Sequence, residues 1–307
     1  LDDTLITLTP SPVRASSVDN QADILGFAIE AAQNGGSALA TLVEIRGGAA
    51  RALGAHVAVA SDGRYCGYVS GGCVESAVAT EALEAIVGHR DRIVKFGEGS
   101  PFFDIALPCG GGITIAIHVL RDTDVLKDAL GDLAGRKSLA LSYRPETESV
   151  VRLDQVPVRS GWRDKDFVCV YRPVTRVVIS GQTGEAEAVR RLAEASGYAV
   201  TLVGSRSLSQ STVIDAFTAV VLLHHDLNLE EDLLRRALSS PAFYIGALGS
   251  TRTHCRRIDR LKSIGMPAEA FDRIKAPIGL FGPTRDSTSL ALSILADVAA
   301  ARSETYA

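Results

Sequence analysis

Apolar positions in the first half of the chain alternate between two periods. Over residues 19–33, Ile24, Phe27, Ala28 and Ala31 fall at the three- and four-residue spacing that lays one helix face on a core. Asn34-Gly35-Gly36 stops that pattern. Residues 38–45 then read as a strand, and 55–60 with 65–69 as a hairpin closed around Ser61-Asp62-Gly63. Gly71-Gly72 lead into a second helix, where Val74, Val78, Ala82 and Ile86 recur every four residues. Residues 113–118 read as a strand and 126–133 as a short helix. The stretch 137–172 reads as further strands, with turns at Arg144-Pro145 and Ser160-Gly161.

From residue 173 the pattern changes. Val177-Val178-Ile179 is a short β-branched run, and Gly181 to Gly184 open a helix carrying Val189, Leu192 and Ala193. Strands follow at 198–203, 219–223 and 243–245, separated by helices at 229–238 and 251–264. A last helix, 287–301, carries Leu290, Ile294 and Val298 on one stripe. Alternation of β and α at this spacing predicts a doubly wound parallel sheet. The expected fold class is therefore α/β: an N-terminal α+β domain with antiparallel strands over residues 1–172, then a C-terminal Rossmann-like parallel α/β domain over 173–307. A length of 307 residues, about twice the usual single domain, agrees with two.

Composition narrows the function classes. With 46% hydrophobic and 22% charged residues, the chain can bury real cores. A net charge of −4 argues against a sequence-independent nucleic-acid binder, which needs a broad basic face. No apolar run approaches the ~18 residues of a membrane span. The chain opens on Leu1-Asp2-Asp3, as if trimmed, and its first ten residues lack the apolar core of a signal peptide. Five scattered cysteines do not form a disulfide framework, so a reducing cytoplasm is the expected compartment, with neither nucleic acid nor membrane as partner.

Two of those cysteines sit among glycines. Ser70-Gly71-Gly72-Cys73-Val74-Glu75 puts a thiol at a helix start, where backbone N–H groups and the helix dipole favour anions and thiolate. Leu107-Pro108-Cys109-Gly110-Gly111-Gly112 puts another in a loop able to approach a ligand closely. Soft thiolates beside anion-binding backbone suit a soft metal, sulfur transfer or a phosphorylated cofactor; Cys73 and Cys109 are the candidate metal ligands. The plainer reading makes both small core fillers. Cys66, Cys169 and Cys255 lack the glycine context and read as core or surface thiols.

The second domain carries a damaged dinucleotide fingerprint. In Gly181-Gln182-Thr183-Gly184-Glu185 the pyrophosphate-facing glycine is Thr183, and Val203-Gly204-Ser205-Arg206 lacks the acid for a ribose hydroxyl. Both features argue against NAD(P). His224-His225-Asp226 ends a strand, and His225 is expected to hydrogen-bond within its loop. Leu248-Gly249-Ser250 opens a helix whose Arg252, Arg256 and Arg260 share one stripe, suited to phosphate or simply solvated. Pro277-Ile278-Gly279-Leu280 reads as a turn.

Taken together, Ser70 to Glu75, Leu107 to Gly111, Tyr244-Ile245-Gly246-Ala247-Leu248-Gly249-Ser250 with Arg252, Pro277 to Leu280, and Ser293-Ile294-Leu295-Ala296-Asp297 resemble the xanthine dehydrogenase accessory protein family, XdhC/CoxI. The likeness runs in family order from about residue 20 to 300. It departs where the family usually shows Gly-Ala-Gly-His and an acid, here Gly181 to Gly184 and Gly204.

The resemblance implies a cytoplasmic chaperone, without catalytic residues of its own, that binds and protects molybdenum cofactor. The cargo is molybdopterin or its dinucleotide form. Such a chaperone assists its sulfuration with a cysteine desulfurase and inserts it into a molybdenum hydroxylase of xanthine dehydrogenase type. It also implies cofactor contacts at Ser70, Gly71, Gly72, Cys73, Glu75, Cys109, Gly110, Gly111 and Arg252. A homodimer is one assembly compatible with this reading. The alternatives are an NAD(P)-dependent oxidoreductase and a sulfur-carrier or metal-binding module that uses the two thiols without a pterin.

Overall fold

The structure, a computed structural model, describes residues 10–98, 110–181, 184–203 and 213–306. They form two compact units, residues 1–173 and 174–307. The first holds β1 (Val13–Arg14), α1 (Gln21–Gln33), β2 (Ser37–Arg46), β3 (His56–Ala60), β4 (Arg64–Gly67), α2 (Glu75–Gly88), β5 (Arg92–Gly97), β6 (Gly112–Val119) and α3 (Asp124–Ala134). Its six strands run in the order β1-β4-β3-β2-β6-β5, antiparallel except for β1 against β4. A second, antiparallel sheet, β8-β7-β10-β9, is made of β7 (Leu139–Arg144), β8 (Ser149–Leu153), β9 (Gly161–Arg163) and β10 (Asp166–Tyr171).

The two-residue period of β2 shows how the large sheet is covered. Ala38, Ala40 and Leu42 pack on the α2 side with Val78, Ala82, Leu83 and Ile86. Leu39 and Val43 pack on the other side with Ile24, Leu25 and Ala28 of α1, Leu126 of α3, and Leu141, Phe167 and Tyr171 of the small sheet. Strands buried on both faces lose polar alternation, which is why β3 and β6 are buried throughout and mostly apolar, with His56, Thr114 and His118 as their polar residues.

The second unit holds β11 (Arg176–Ser180), α4 (Gly184–Ala195), β12 (Ala199–Val203), β13 (Thr218–Leu222), α5 (Leu227–Leu238), β14 (Tyr244–Ala247), α6 (Thr251–Ser263), β15 (Ile274–Lys275) and α7 (Ser287–Tyr306). All five strands are parallel, in the order β12-β11-β13-β14-β15. Helices α5 and α6 cover one face and α4 and α7 the other. This is the Rossmann-like arrangement expected from the sequence, with its switch point between β11 and β13. Among the described residues, no helix is long and apolar enough to cross a membrane.

Two local expectations need correction, and one strand was not expected. Asn20 caps α1 by accepting from Ala22 N at 2.8 Å, so the helix starts at Gln21 rather than at residue 19. The turn assigned to Ser160-Gly161 lies at Asp164-Lys165, where Asp164 has φ +53°. Gly161 instead begins β9, and Ser160 Oγ accepts from Val170 N at 2.9 Å. Strand β5 was not anticipated at all; it is an edge strand on which Val94 and Phe96 are buried between exposed neighbours.

Candidate functional site

The Ser70–Glu75 loop is built around a buried carboxylate. Glu75 is 0% exposed at the first turn of α2. Its Oε1 accepts from Val69 N at 3.1 Å and Ser70 N at 2.8 Å, and Oε2 from Val74 N at 3.3 Å. Ser70 Oγ lies 3.0 Å from both oxygens, donates to one of them, and accepts from Cys73 N at 3.2 Å. An anion at a helix N-terminus is favourable, and here it is supplied from within the chain. Glu75 therefore folds the loop back on itself while Gly71, Gly72 and Cys73 are left exposed. Cys73 stands just ahead of the helix, whose cap position is Val74.

The other thiols differ. Cys66 and Cys169 are buried, and burial pushes their thiols up to about 11 and about 12. Cys255 is exposed on α6. Cys73 and Cys255 are expected to react first with a maleimide in the native protein, and Cys66 and Cys169 only on unfolding. Peptide mapping of the labelled chain checks this.

Cys109 lies outside the described residues. The glycines after it are close to a loop that the sequence reading missed, Arg46-Gly47-Gly48-Ala49-Ala50, which leaves the end of β2. A Cβ at Gly111 would lie 2.3 Å from Arg46 O and 3.1 Å from Gly48 O, so only glycine allows this backbone approach. A Cβ at Gly71 would lie 3.5 Å from the Cβ of Ala50. The β2 loop thus adjoins both glycine segments, and Gly47, Gly48, Ala49, Ala50 and Gly110 are exposed.

Arg46 secures this corner. It donates to Thr114 Oγ1 at 2.8 Å, to Glu44 Oε2 at 2.7 Å and to Glu98 O at 3.1 and 3.2 Å. The Thr114 hydroxyl, with Arg46 beside it, holds the Glu44 carboxyl below its ordinary range. The signal in the sequence was a further glycine pair, Gly47-Gly48, at a strand end.

Arg252 belongs to the second unit, exposed at the start of α6. Its stripe mates diverge: Arg256 is exposed, whereas Arg260 pairs with Glu231. The buried arginine is Arg257, 2% exposed and paired with Glu230, itself 1% exposed. Of the histidine pair it is His224, not His225, that is buried, with Nε2 2.8 Å from Ser180 Oγ. Burial holds its imidazole below the ordinary range. Asp226 caps α5 through Asn228 N at 2.9 Å. Gln182, Thr183, Gly204, Ser205 and Arg206 lie outside the described residues. Among the described residues there is no group of three or more His, Cys, Asp or Glu side chains that could hold a metal.

The two units define a class of chain in which a mostly antiparallel α+β unit precedes a Rossmann-like parallel one. Residues 31–97 match the family model described as the XdhC and CoxI family, and residues 177–298 match the XdhC Rossmann domain. Over 292 residues the chain is 49% identical to the molybdenum cofactor insertion chaperone PaoD of Escherichia coli strain K12, covering 95% of this chain and 92% of that protein. It is 24% identical over 269 residues to the uncharacterized protein YqeB of the same organism, covering 87% of this chain and 43% of YqeB. A Bacillus halodurans structure described as a xanthine dehydrogenase aligns with a TM-score of 0.73 at 19% identity, over 93% of this chain and 96% of that one, which is a likeness of fold. The chain belongs to the XdhC and CoxI family.

Proposed function

We propose that this protein is a molybdenum cofactor chaperone. It binds the cofactor as cargo, protects it while a cysteine desulfurase partner supports its sulfuration, and inserts it into a molybdenum hydroxylase of xanthine dehydrogenase type in the cytoplasm. The observation that carries this reading is the 49% identity, over nearly the full length of both chains, to a protein named for molybdenum cofactor insertion.

The geometry supports a binding role. Glu75 and Ser70 hold the loop, the exposed Gly71, Gly72 and Gly110 leave backbone open to a ligand, and Gly111 gives the close packing beneath them. Exposed Cys73 offers a soft sulfur donor, with Cys109 as the second thiol. Arg252 is the contact assigned in the second unit.

The test is to purify the wild-type chain and Cys73→Ser from molybdenum-replete cells and measure bound pterin, molybdenum and melting temperature together. The wild type is expected to carry cargo. Cys73→Ser should lose most of it while its melting temperature holds, because the residue is exposed. Full cargo in Cys73→Ser and Cys109→Ser combined would overturn the site. Persulfide without pterin would favour the sulfur carrier. Micromolar affinity for NAD or NADP would favour the oxidoreductase, which Thr183 and Gly204 argue against. The mass of the released pterin tells molybdopterin from its cytosine dinucleotide.

A further inference from the structure

The first seven residues of α6 include two with a buried polar atom that lacks a hydrogen-bond partner. Among the described residues, Nη1 of Arg257 and Nδ1 of His254 are buried and meet no hydrogen-bond partner. The two residues are three apart on α6 and so share a face. Burial of such groups without partners is costly, and they are uncommon in folded proteins.

Arg257 is fixed from its other edge. Nε and Nη2 both bond the Glu230 carboxylate, Nη2 at 3.2 Å from Oε2, and Nη2 also donates to Leu248 O at 2.8 Å. A guanidinium is planar, and its distal edge carries one N–H of Nη2 beside one of Nη1. Since Nη2 spends its distal hydrogen on Leu248 O, the adjacent Nη1 hydrogen is aimed at the same β14–α6 turn. That turn is Leu248-Gly249-Ser250, with Gly249 at φ +128°, and Ser250 caps the thirteen-residue helix through Thr253 N at 3.3 Å. The amides of Thr251 and Arg252 have no acceptor within the helix. Leu248 N donates to Leu222 O, so the turn follows the C-terminal ends of β13 and β14, the edge where doubly wound sheets collect ligands.

We propose that the N-terminus of α6 is a phosphate subsite, taking the phosphoryl group of a phosphorylated small molecule, with Arg257 Nη1 and His254 Nδ1 as side-chain anchors. The helix amides, Nη1 of Arg257 and the His254 imidazole, in the tautomer protonated on Nδ1, supply three separate sets of donors. That matches three terminal phosphate oxygens better than the two of a carboxylate. Glu230 holds the guanidinium without consuming its distal edge, and exposed Arg252 and Arg256 add positive charge outside. Because both anchor atoms are buried, binding includes a local opening of the turn. The subsite shares Arg252 with the proposed cargo contacts but is argued from Arg257 and His254, and so does not rest on the cargo reading.

Amide spectra of the full chain, recorded while potassium phosphate replaces potassium chloride at constant ionic strength, test the proposal without any pterin. Saturable shifts are expected at Gly249, Ser250, Thr251 and Arg252, with a dissociation constant of about 1–10 mM. Arg257→Lys keeps the charge opposite Glu230 but loses the fork, and should weaken binding at least tenfold. If that variant fails to fold, His254→Phe serves in its place, with the same loss expected. No saturable shift in the wild type, or shifts centred on the start of α4 instead, would overturn the subsite and leave the Cys73 assignment untouched.

Discussion

Glu230→Ala is expected to destabilise the second unit by about 3–5 kcal/mol, because it strands the Arg257 guanidinium in the core without its counter-charge. Both side chains are essentially solvent-free, at 1% and 2% exposed, and sit between α5 and α6. Burial pushes the Glu230 carboxyl up, and Arg257 opposes that push by favouring the charged form. The neighbouring pair, Arg260 with Glu231, joins the same two helices but is 39% and 29% exposed, so Glu231→Ala should cost no more than about 1 kcal/mol. Replacing both buried partners, as Glu230→Leu with Arg257→Met, should recover most of the loss, since two apolar groups of similar size need no pairing. Denaturant unfolding of the full chain measures all three variants. A Glu230→Ala cost as small as that of Glu231→Ala would show that the pair is not held in a dry interface.

The same pair shows where the sequence was legible and where it was not. Central strands and helices were readable because burial imposes a period: α2 carries Val78, Ala82 and Ile86 inward, and β2 alternates between two cores. Edge strand β5 escaped notice because Arg92 and Lys95 interrupt its apolar positions, as they do on edges that must not pair further. On α6 the stripe of Arg252, Arg256 and Arg260 drew attention, yet the arginine that matters for packing is off it. Arg257 lies on the inward face with Leu261, and Glu230 on the inward face of α5 with Leu233, Leu234 and Ala237. Opposite charges on the apolar stripes of two consecutive helices are the mark such a buried pair leaves in the sequence. The glycine–cysteine motifs were visible as motifs, whereas the β2 loop beside them was not, because proximity between residues 46–50 and 111 comes from strand pairing rather than from spacing.

Glu75→Gln is expected to damage both the loop and the cargo site, and its comparison with Cys73→Ser separates two roles for the motif. The carboxylate accepts from three backbone amides and one hydroxyl, with no exposed surface. An amide in its place keeps one acceptor oxygen but turns an NH2 toward N–H donors, so at least one buried donor loses its partner. The expected cost is about 1–3 kcal/mol for each donor stranded, and Glu75→Ala should cost more than Glu75→Gln. Once the loop opens, Gly71 to Cys73 lose their fixed presentation, and cargo retention should fall at least tenfold with the melting temperature. Ser70→Ala, which removes the hydroxyl linking Glu75 to Cys73 N, should fall between the two in both measures. Cys73→Ser, by contrast, removes an exposed sulfur and should lose cargo alone. A Glu75→Gln variant that keeps its stability but loses cargo would mean that the carboxylate touches the cofactor directly, as the family resemblance implies. One that keeps both would remove Glu75 from the site altogether.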